Sequence, residues 1–263
     1  MQLFHLIILA VVQGLTEFLP VSSSGHLVLL EHWLGTFSGD VFLNVVLHVG
    51  TLLAVLVVYA RDLRRLLTFD ALAVQYLVAL VVATIPAAVV GYLFRDFVED
   101  LFANPQAASV ALIFTGLILL STRLTGDNSR SRRFSAVWDP VSPSLGKALL
   151  IGMAQALAIM PGISRSGSTI AASMWLGLDR EEAARFSFLM AVPAITGALV
   201  LQSLEGLPET EATHMGLILG MFVAFIVGLV AIRLTALLVV QKHFWKFSFY
   251  CLPLGLVMYF LFM

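Results

Sequence analysis

The sequence has few charged residues. Asp, Glu, Lys and Arg make up 12% of its 263 residues, whereas a soluble domain carries about 25%. Hydrophobic residues make up 60% of the chain, and its mean hydropathy is +0.97. A soluble globule could not cover its surface with this composition. We therefore predict an all-α, polytopic membrane protein.

The sequence also lacks a large net charge and has only one cysteine. Fifteen Lys and Arg residues against sixteen Asp and Glu give a net charge of −1, which excludes the basic surface that nucleic-acid binding needs. A single cysteine, Cys251, excludes a disulfide framework and a thiolate metal cluster. Glycine-rich nucleotide loops, HExxH and paired-cysteine motifs are absent, so nucleotide-driven transport and zinc proteolysis have no residues to support them. The first 20 residues lack the cationic start and cleavage site of a signal peptide.

Long apolar runs predict about six complete membrane spans. Two further segments, 2–32 and 147–177, each place a polar, Ser- and Gly-rich stretch between apolar stubs of about 10–14 residues, a length typical of re-entrant half-helices. Non-helical backbone at membrane depth is tolerated only where it is buried in protein or lines a wet cavity. The two polar stretches therefore predict four half-helices around one internal polar site. The six predicted spans are 42–60, 75–94, 107–122, 186–204, 215–240 and 247–263.

The two polar stretches repeat each other without a gap. Each is followed by three predicted spans, and an odd number of spans inverts the second copy, as in secondary transporters. We predict one transmembrane domain, 1–263, made of inverted repeats 1–124 and 145–263 and a linker, 125–144. The identical pairs are Gln13/Gln155, Leu15/Leu157, Ser22/Ser164, Ser24/Ser166 and Gly25/Gly167.

The distribution of charge predicts the orientation. Basic residues are concentrated on the side that holds the linker, so the positive-inside rule makes that side cytoplasmic and places both termini in the periplasm. The linker-side residues are Arg61, Arg64, Arg65, Arg130, Arg132, Arg133, Lys147, Arg180, Lys242 and Lys246, and the opposite side holds Arg95, Asp96, Glu99, Asp100, Glu205, Glu209 and Glu211.

The first motif, residues 17–26, combines an acid, three hydroxyls and an imidazole. Pro20 is expected to end the incoming half-helix, and the serines to cap the helix that starts near His26. Free N–H groups at such a helix start bind phosphate well. The alternative is a capped helix break with a packed histidine, but an ionisable group at membrane depth, here Glu17, is costly and usually functional. The candidate phosphate ligands are Ser22, Ser24 and Gly25.

The second motif, residues 161–169, places a lone Arg165 between hydroxyls in an apolar run. A guanidinium group presents a planar fork that matches phosphate oxygens. The alternative is a structural ion pair with Glu17, and both interpretations hold if that pair opens around a ligand. Gln13 and His48 are expected to line the cavity, although a packed, hydrogen-bonded histidine also explains His48. The candidate phosphate ligands of this motif are Ser164, Ser166, Gly167 and Thr169.

Three stretches carry a resemblance to a known family: QGLTEFLPVSSSGH from Gln13, PGISRSGSTI from Pro161 and FSFLMAVP from Phe186. Over almost the whole chain the sequence resembles the undecaprenyl-diphosphate phosphatases of the bacitracin-resistance type. The resemblance implies a phosphatase of the bacterial inner membrane whose site opens to the periplasm. Such an enzyme would convert undecaprenyl diphosphate to the monophosphate, recycle this carrier for cell-wall synthesis and confer bacitracin tolerance. The rival function is a secondary transporter or lipid-phosphate flippase that uses the same site.

Residue by residue, the resemblance places the acid at Glu17, the candidate nucleophile at Ser23, the histidine at His26 and the arginine at Arg165. Ser23 would attack the terminal phosphorus while His26 accepts its proton and Glu17 orients His26. Alternatively, His26 or Glu17 activates water and Ser23 only binds phosphate.

One departure from the family pattern leaves the cofactor open. Some members have a second glutamate where this chain has Gln13. A divalent cation, Mg²⁺ or Ca²⁺, would therefore have Glu17 as its one carboxylate ligand. The implied partners are a polyprenyl diphosphate lipid and the bilayer, with no nucleic acid. The oligomeric state stays open, a homodimer being one option.

Overall fold

The computed structural model describes residues 2–37, 40–126, 142–205, 210 and 212–263. These residues form α-helices and two short 3-10 helices and contain no strand, which confirms the all-α prediction. The helices are α1 Gln2–Thr16, α2 Ser23–Leu34, α3 Val41–Val58, α4 Ala60–Leu66, α5 Ala71–Leu93, α6 Arg95–Phe102, α7 Pro105–Ser121, α8 Leu145–Leu157, α9 Arg165–Trp175, α10 Arg180–Glu205, α11 His214–Val240 and α12 Ser248–Leu261.

Within the described residues, five helical stretches are long and apolar enough to cross a membrane. A sixth span results if the stretch Phe42–Val58 and α4 count together, although they meet at an angle of 74°. The prediction of a multi-pass membrane protein with about six spans is confirmed, and the predicted run 42–60 ends at this bend. The five spans are Ala71–Leu93, Pro105–Leu124, Arg180–Leu201, His214–Val240 and Phe244–Leu261.

The four helices of the two polar segments are too short to cross the bilayer, which needs about 20 residues. They are α1, α2, α8 and α9, with 15, 12, 13 and 11 residues. Both second half-helices begin with a serine cap. Ser22 Oγ accepts the Gly25 N–H at 3.3 Å, and Ser164 Oγ accepts the Gly167 N–H at 3.0 Å. The first motif caps its helix as expected, but α2 begins at Ser23, three residues before His26.

Several helix pairs join the two predicted repeats. Half-helix α1 packs against α11, α8 packs against α5, and α7 packs against α12. These pairings are expected if the two halves are copies that exchange partners. The inverted orientation of the second copy and the division at the linker stay predictions. The linker residues 127–141, with Arg130, Arg132 and Arg133, lie outside the described residues, as do Glu209 and Glu211.

The two motifs meet through close backbone contacts. A Cβ added to Gly25 would lie 2.7 Å from Gly162 Cα, and one added to Gly162 would lie 2.2 Å from the Ala108 carbonyl oxygen. Gly162 also has φ +98°, which L side chains rarely adopt. Thr115 of α7 donates its hydroxyl to the Gly162 carbonyl at 2.7 Å and accepts the Ser164 N–H at 2.9 Å. A buried threonine thus satisfies the non-helical backbone of the second motif.

A polar network ties the start of α10 to two neighbouring helices. Arg185 lies 2.8 Å from Glu181, 3.4 Å from Glu182 and 3.4 Å from Asp62 of α4. Tyr76 of α5 donates its hydroxyl to the buried Glu182 at 2.7 Å. Buried charge is tolerated only where it is paired and hydrogen-bonded, and this network supplies both. It positions α10, which contacts the second motif.

Candidate active site

The centre of the site is the carboxylate of Glu17. This residue follows α1 directly and is only 6% exposed. Its Oε1 accepts a hydrogen bond from Arg165 Nη2 at 2.7 Å, and its Oε2 accepts one from Ser23 Oγ at 2.6 Å. Glu17 and Arg165 are 148 residues apart in the chain. The two motifs therefore contact each other directly, as one internal polar site requires.

Two further side chains approach the same carboxylate. Gln13 donates its Nε2 to Glu17 Oε2 at 3.1 Å, and His48 Nε2 lies 3.5 Å from that oxygen. His48 Nδ1 lies 2.7 Å from the carbonyl oxygen of Asn44, one turn earlier in α3. The structure therefore brings both expected cavity residues to Glu17, where four side chains offset the cost of burying its charge.

Arg165, the first residue of α9, does not use all its donors in the pair with Glu17. Nη2 binds Glu17, but Nη1 is buried and has no hydrogen-bond partner among the described residues. A buried donor without a partner costs free energy, more so when it is charged. The geometry therefore suits an anion that would accept a hydrogen bond from Nη1, the second nitrogen of the guanidinium fork.

Among the described residues, His26 makes no hydrogen bond to Ser23 and has its own partners. Its Nδ1 is 2.7 Å from the Ser22 carbonyl oxygen, and its Nε2 is 2.8 Å from the Tyr250 hydroxyl. The two rings stack with centroids 5.6 Å apart and an interplanar angle of 8°. A carbonyl only accepts, so Nδ1 carries the proton and Nε2 accepts from Tyr250. The expected contact of Ser23 with His26 is replaced by a bond from Ser23 to Glu17.

The other candidate hydroxyls and amides already make hydrogen bonds within or between the two motifs. The N–H groups of Gly25 and Gly167 are taken by the capping serines. Ser24 Oγ lies 3.3 Å from Ser22 Oγ, and Ser166 donates to the Leu19 carbonyl at 3.3 Å. Thr169 donates to the Arg165 carbonyl at 2.8 Å. Of these candidates, Ser24 is partly exposed, like the catalytic candidates Ser23, His26 and Arg165, whereas the remainder are buried.

With this geometry, the comparisons identify the family. The model of the family described as bacitracin resistance protein BacA matches residues 6–257. The chain belongs to the BacA family. An undecaprenyl-diphosphatase from Syntrophotalea carbinolica is 42% identical over 267 residues, covering 97% of each chain. Undecaprenyl-diphosphatases from Rhodopirellula baltica and Desulfosudis oleivorans are 40% and 39% identical, covering 97% and 95% of this chain and 96% and 94% of theirs.

Three residues of this BacA family member were missed by sequence reasoning. Tyr250 of α12 bonds His26, Thr115 of α7 holds the second motif, and Ser187 of α10 lies with its Oγ 2.6 Å from Thr169 Oγ1. Thr115 and Ser187 are isolated hydroxyls in apolar spans, which is a weak signal that could have marked them. No pattern around Tyr250 marks it, because its contact with His26 depends on the packing of both α12 and α2 against α7.

The donor set around Glu17 suits an anion better than a resident divalent cation. Mg²⁺ and Ca²⁺ bind oxygen ligands, and no group of three or more His, Cys, Asp or Glu side chains in the described part of this BacA chain could hold a metal ion. Glu17 itself already faces the Arg165 guanidinium. A requirement for a divalent cation stays a prediction.

Proposed function

We propose that the protein is an undecaprenyl-diphosphate phosphatase, which hydrolyses undecaprenyl diphosphate to undecaprenyl phosphate and inorganic phosphate. The observation that carries the proposal is the buried Arg165 Nη1, which has no partner in the described residues and lies beside the Ser23–Glu17 pair. The names of the relatives support the same substrate and favour hydrolysis over transport. The product would return to cell-wall synthesis, and consumption of the diphosphate would confer bacitracin tolerance.

We place this reaction at the periplasmic side of the bacterial inner membrane, with both termini in the periplasm. This orientation is supported by the positive-inside rule and by the concentration of basic residues in helices assigned to the cytoplasmic side. Arg61, Arg64 and Arg65 are all on α4, whereas α6 carries three of the acidic residues assigned to the opposite side.

In the first half of the reaction, Arg165 binds the diphosphate and stabilises charge on the transferring phosphoryl group. Ser23 Oγ attacks the terminal phosphorus, and its proton passes to Glu17 Oε2, which already accepts it at 2.6 Å. The bond from phosphorus to the bridging oxygen breaks, and undecaprenyl phosphate leaves. Glu17 thus takes the role of base that the first mechanism of the sequence analysis gave to His26.

In the second half, water attacks the phosphoserine. The bond from phosphorus to Ser23 Oγ breaks, Ser23 Oγ recovers its proton from Glu17, and phosphate leaves with the oxygen and both protons of water. His26 has a different place in this scheme, because its Nε2 is bound to Tyr250 at the partly exposed face of the site. A P–OH group of the bound phosphate would donate to His26 Nε2 in place of the Tyr250 hydroxyl, and the product phosphate would then lie between His26 and Arg165.

Replacement of Tyr250 tests this displacement. Tyr250→Phe keeps the stacked ring but removes the hydroxyl that the substrate must displace. A hydrogen bond contributes about 1 kcal/mol net, and in the variant the substrate no longer has to break this bond. KM is therefore expected to fall about fivefold, with a smaller change in kcat. The measurement is the steady-state rate in detergent micelles at several substrate concentrations. An unchanged KM would show that the substrate does not compete with this hydroxyl.

Reconstitution tests the function itself. Purified protein in proteoliposomes, supplied with undecaprenyl diphosphate and no ion gradient, is expected to release inorganic phosphate. Liposomes with the Arg165→Ala protein are the control for contaminating phosphatases. Accumulation of solute that needs a gradient, without phosphate release, would instead establish the transporter. Loss of release in chelator and its recovery with Mg²⁺ or Ca²⁺ would show that a cation accompanies the diphosphate.

A further inference from the structure

Thr115 of α7 lies outside both polar motifs, yet its side chain binds the backbone directly before Arg165. Its Oγ1 donates to the Gly162 carbonyl oxygen at 2.7 Å and accepts the Ser164 N–H at 2.9 Å. We propose that Thr115 is a positioning residue, which fixes the start of α9 so that the Arg165 guanidinium meets the diphosphate. This role rests on the proposed function.

The direction of the Thr115 hydroxyl distinguishes it from other hydroxyls in the spans. Thr84, Ser109 and Thr122 each donate to a carbonyl oxygen three or four residues earlier in the chain, which is the usual bond of a hydroxyl in a helix. A hydroxyl has one proton to donate, and Thr115 directs it to Gly162, 47 residues away. The Thr115 side chain therefore bonds the second motif instead of its own helix.

The second motif lies against one face of α7. Ala108, Ala111 and Thr115 follow one another at spacings of three and four residues, which places them on the same side of the helix. A Cβ added to Gly162 would lie 2.2 Å from the Ala108 carbonyl oxygen and 2.7 Å from the Ala111 Cβ. The small alanines thus let the loop backbone approach α7 closely, and the Thr115 hydroxyl fixes its position along the helix.

The position of Ser164 determines where the Arg165 side chain begins. Ser164 Oγ caps α9 by accepting the Gly167 N–H at 3.0 Å, and Arg165 is the first residue of that helix. Arg165 Nη2 binds Glu17 at 2.7 Å, whereas the buried Nη1 has no hydrogen-bond partner among the described residues. If the Ser164 backbone shifted, Arg165 could keep its bond to Glu17 only by turning Nη1 away from its present direction.

The test compares Thr115→Val with Thr115→Ser in the purified full chain. Valine keeps the volume but leaves the Gly162 carbonyl and the Ser164 N–H without this partner, so the loop is expected to shift. We expect kcat/KM for phosphate release from undecaprenyl diphosphate to fall about 10- to 100-fold, because a small misplacement of a group that orients the substrate is costly. Serine keeps the hydroxyl and is expected to stay within about threefold of the unmodified protein. The control, Thr122→Val, removes an equally buried hydroxyl that donates to Leu119 and is expected to leave kcat/KM unchanged.

A second background separates positioning of Arg165 from general support of the fold. Arg165→Ala lacks the group that Thr115 positions. In this background Thr115→Val is therefore expected to lower kcat/KM by less than about twofold, since two residues that act through one contact are not additive. A purely structural loss would instead lower kcat/KM by the same factor in both backgrounds.

Three results overturn the inference: full activity of Thr115→Val, no recovery in Thr115→Ser, and an undiminished effect of Thr115→Val in the Arg165→Ala background. If Thr115→Val does not elute as a single species in size exclusion, Thr115→Cys replaces it, because a thiol is a weak donor and acceptor. A loss of about 3- to 10-fold that disappears in the Arg165→Ala background is then expected, and no loss, or a loss that persists there, contradicts the inference. Phosphate release by the unmodified protein separates failure of this inference from failure of the proposed function.

Discussion

Arg165→Ala is expected to lower kcat/KM for phosphate release about 10³-fold. Arg165 both neutralises Glu17 and offers its unpaired Nη1 to the diphosphate. Removal of a group that stabilises transferring phosphoryl charge costs about 10²- to 10⁵-fold in rate. The measurement is phosphate release by the purified protein in micelles, with thermal unfolding followed in parallel.

Two controls sharpen this prediction. Arg165→Lys keeps the charge but loses the planar fork, so an intermediate loss of about 10²-fold is expected. Arg233→Ala removes an exposed arginine of α11 and is expected to leave the rate unchanged. A folded Arg165→Ala protein with the rate of the unmodified enzyme would show that Arg165 serves only as a structural partner of Glu17.

Ser23 and Glu17 are expected to act as a unit, so that substitution of either one removes most of the activity. Ser23→Ala removes the nucleophile, and a loss of about 10³-fold or more in kcat is expected. Glu17→Gln keeps the shape of the side chain but removes the base. Loss of a general base typically lowers the rate about 10²- to 10⁴-fold. The double variant is expected to be no slower than the slower single variant, because residues that act as a unit are not additive.

Trapping of the intermediate identifies the nucleophile. Substrate labelled in its terminal phosphate, quenched in acid during turnover, is expected to leave label on the peptide that contains Ser23. His26→Gln is expected to lose less activity than Glu17→Gln, because Ser23 Oγ contacts Glu17 and not His26. Near-full turnover by Ser23→Ala would leave water as the nucleophile and Ser23 as a phosphate ligand.

The site shows where sequence reasoning succeeded and where it stopped. The lone Glu17 and Arg165 stood out because charge is rare in an apolar chain, and the structure joins them at 2.7 Å. The hydrogen-bond partners of the uncharged side chains could not be predicted in the same way. Ser23 has both an acid and an imidazole within six residues, and local spacing allows either one as its partner.

By itself the sequence determined the membrane environment, the half-helices and their serine caps. These features depend on composition, on the length of each apolar run compared with the bilayer thickness, and on capping hydrogen bonds between residues three apart in the chain. All of these are local properties of the sequence. The tertiary structure alone decided which acceptor each donor of the site meets. Tyr250 reaches His26 across 224 residues, and His48 reaches Glu17 from a separate helix. Such contacts depend on how whole helices pack against one another, and no spacing along the chain encodes that.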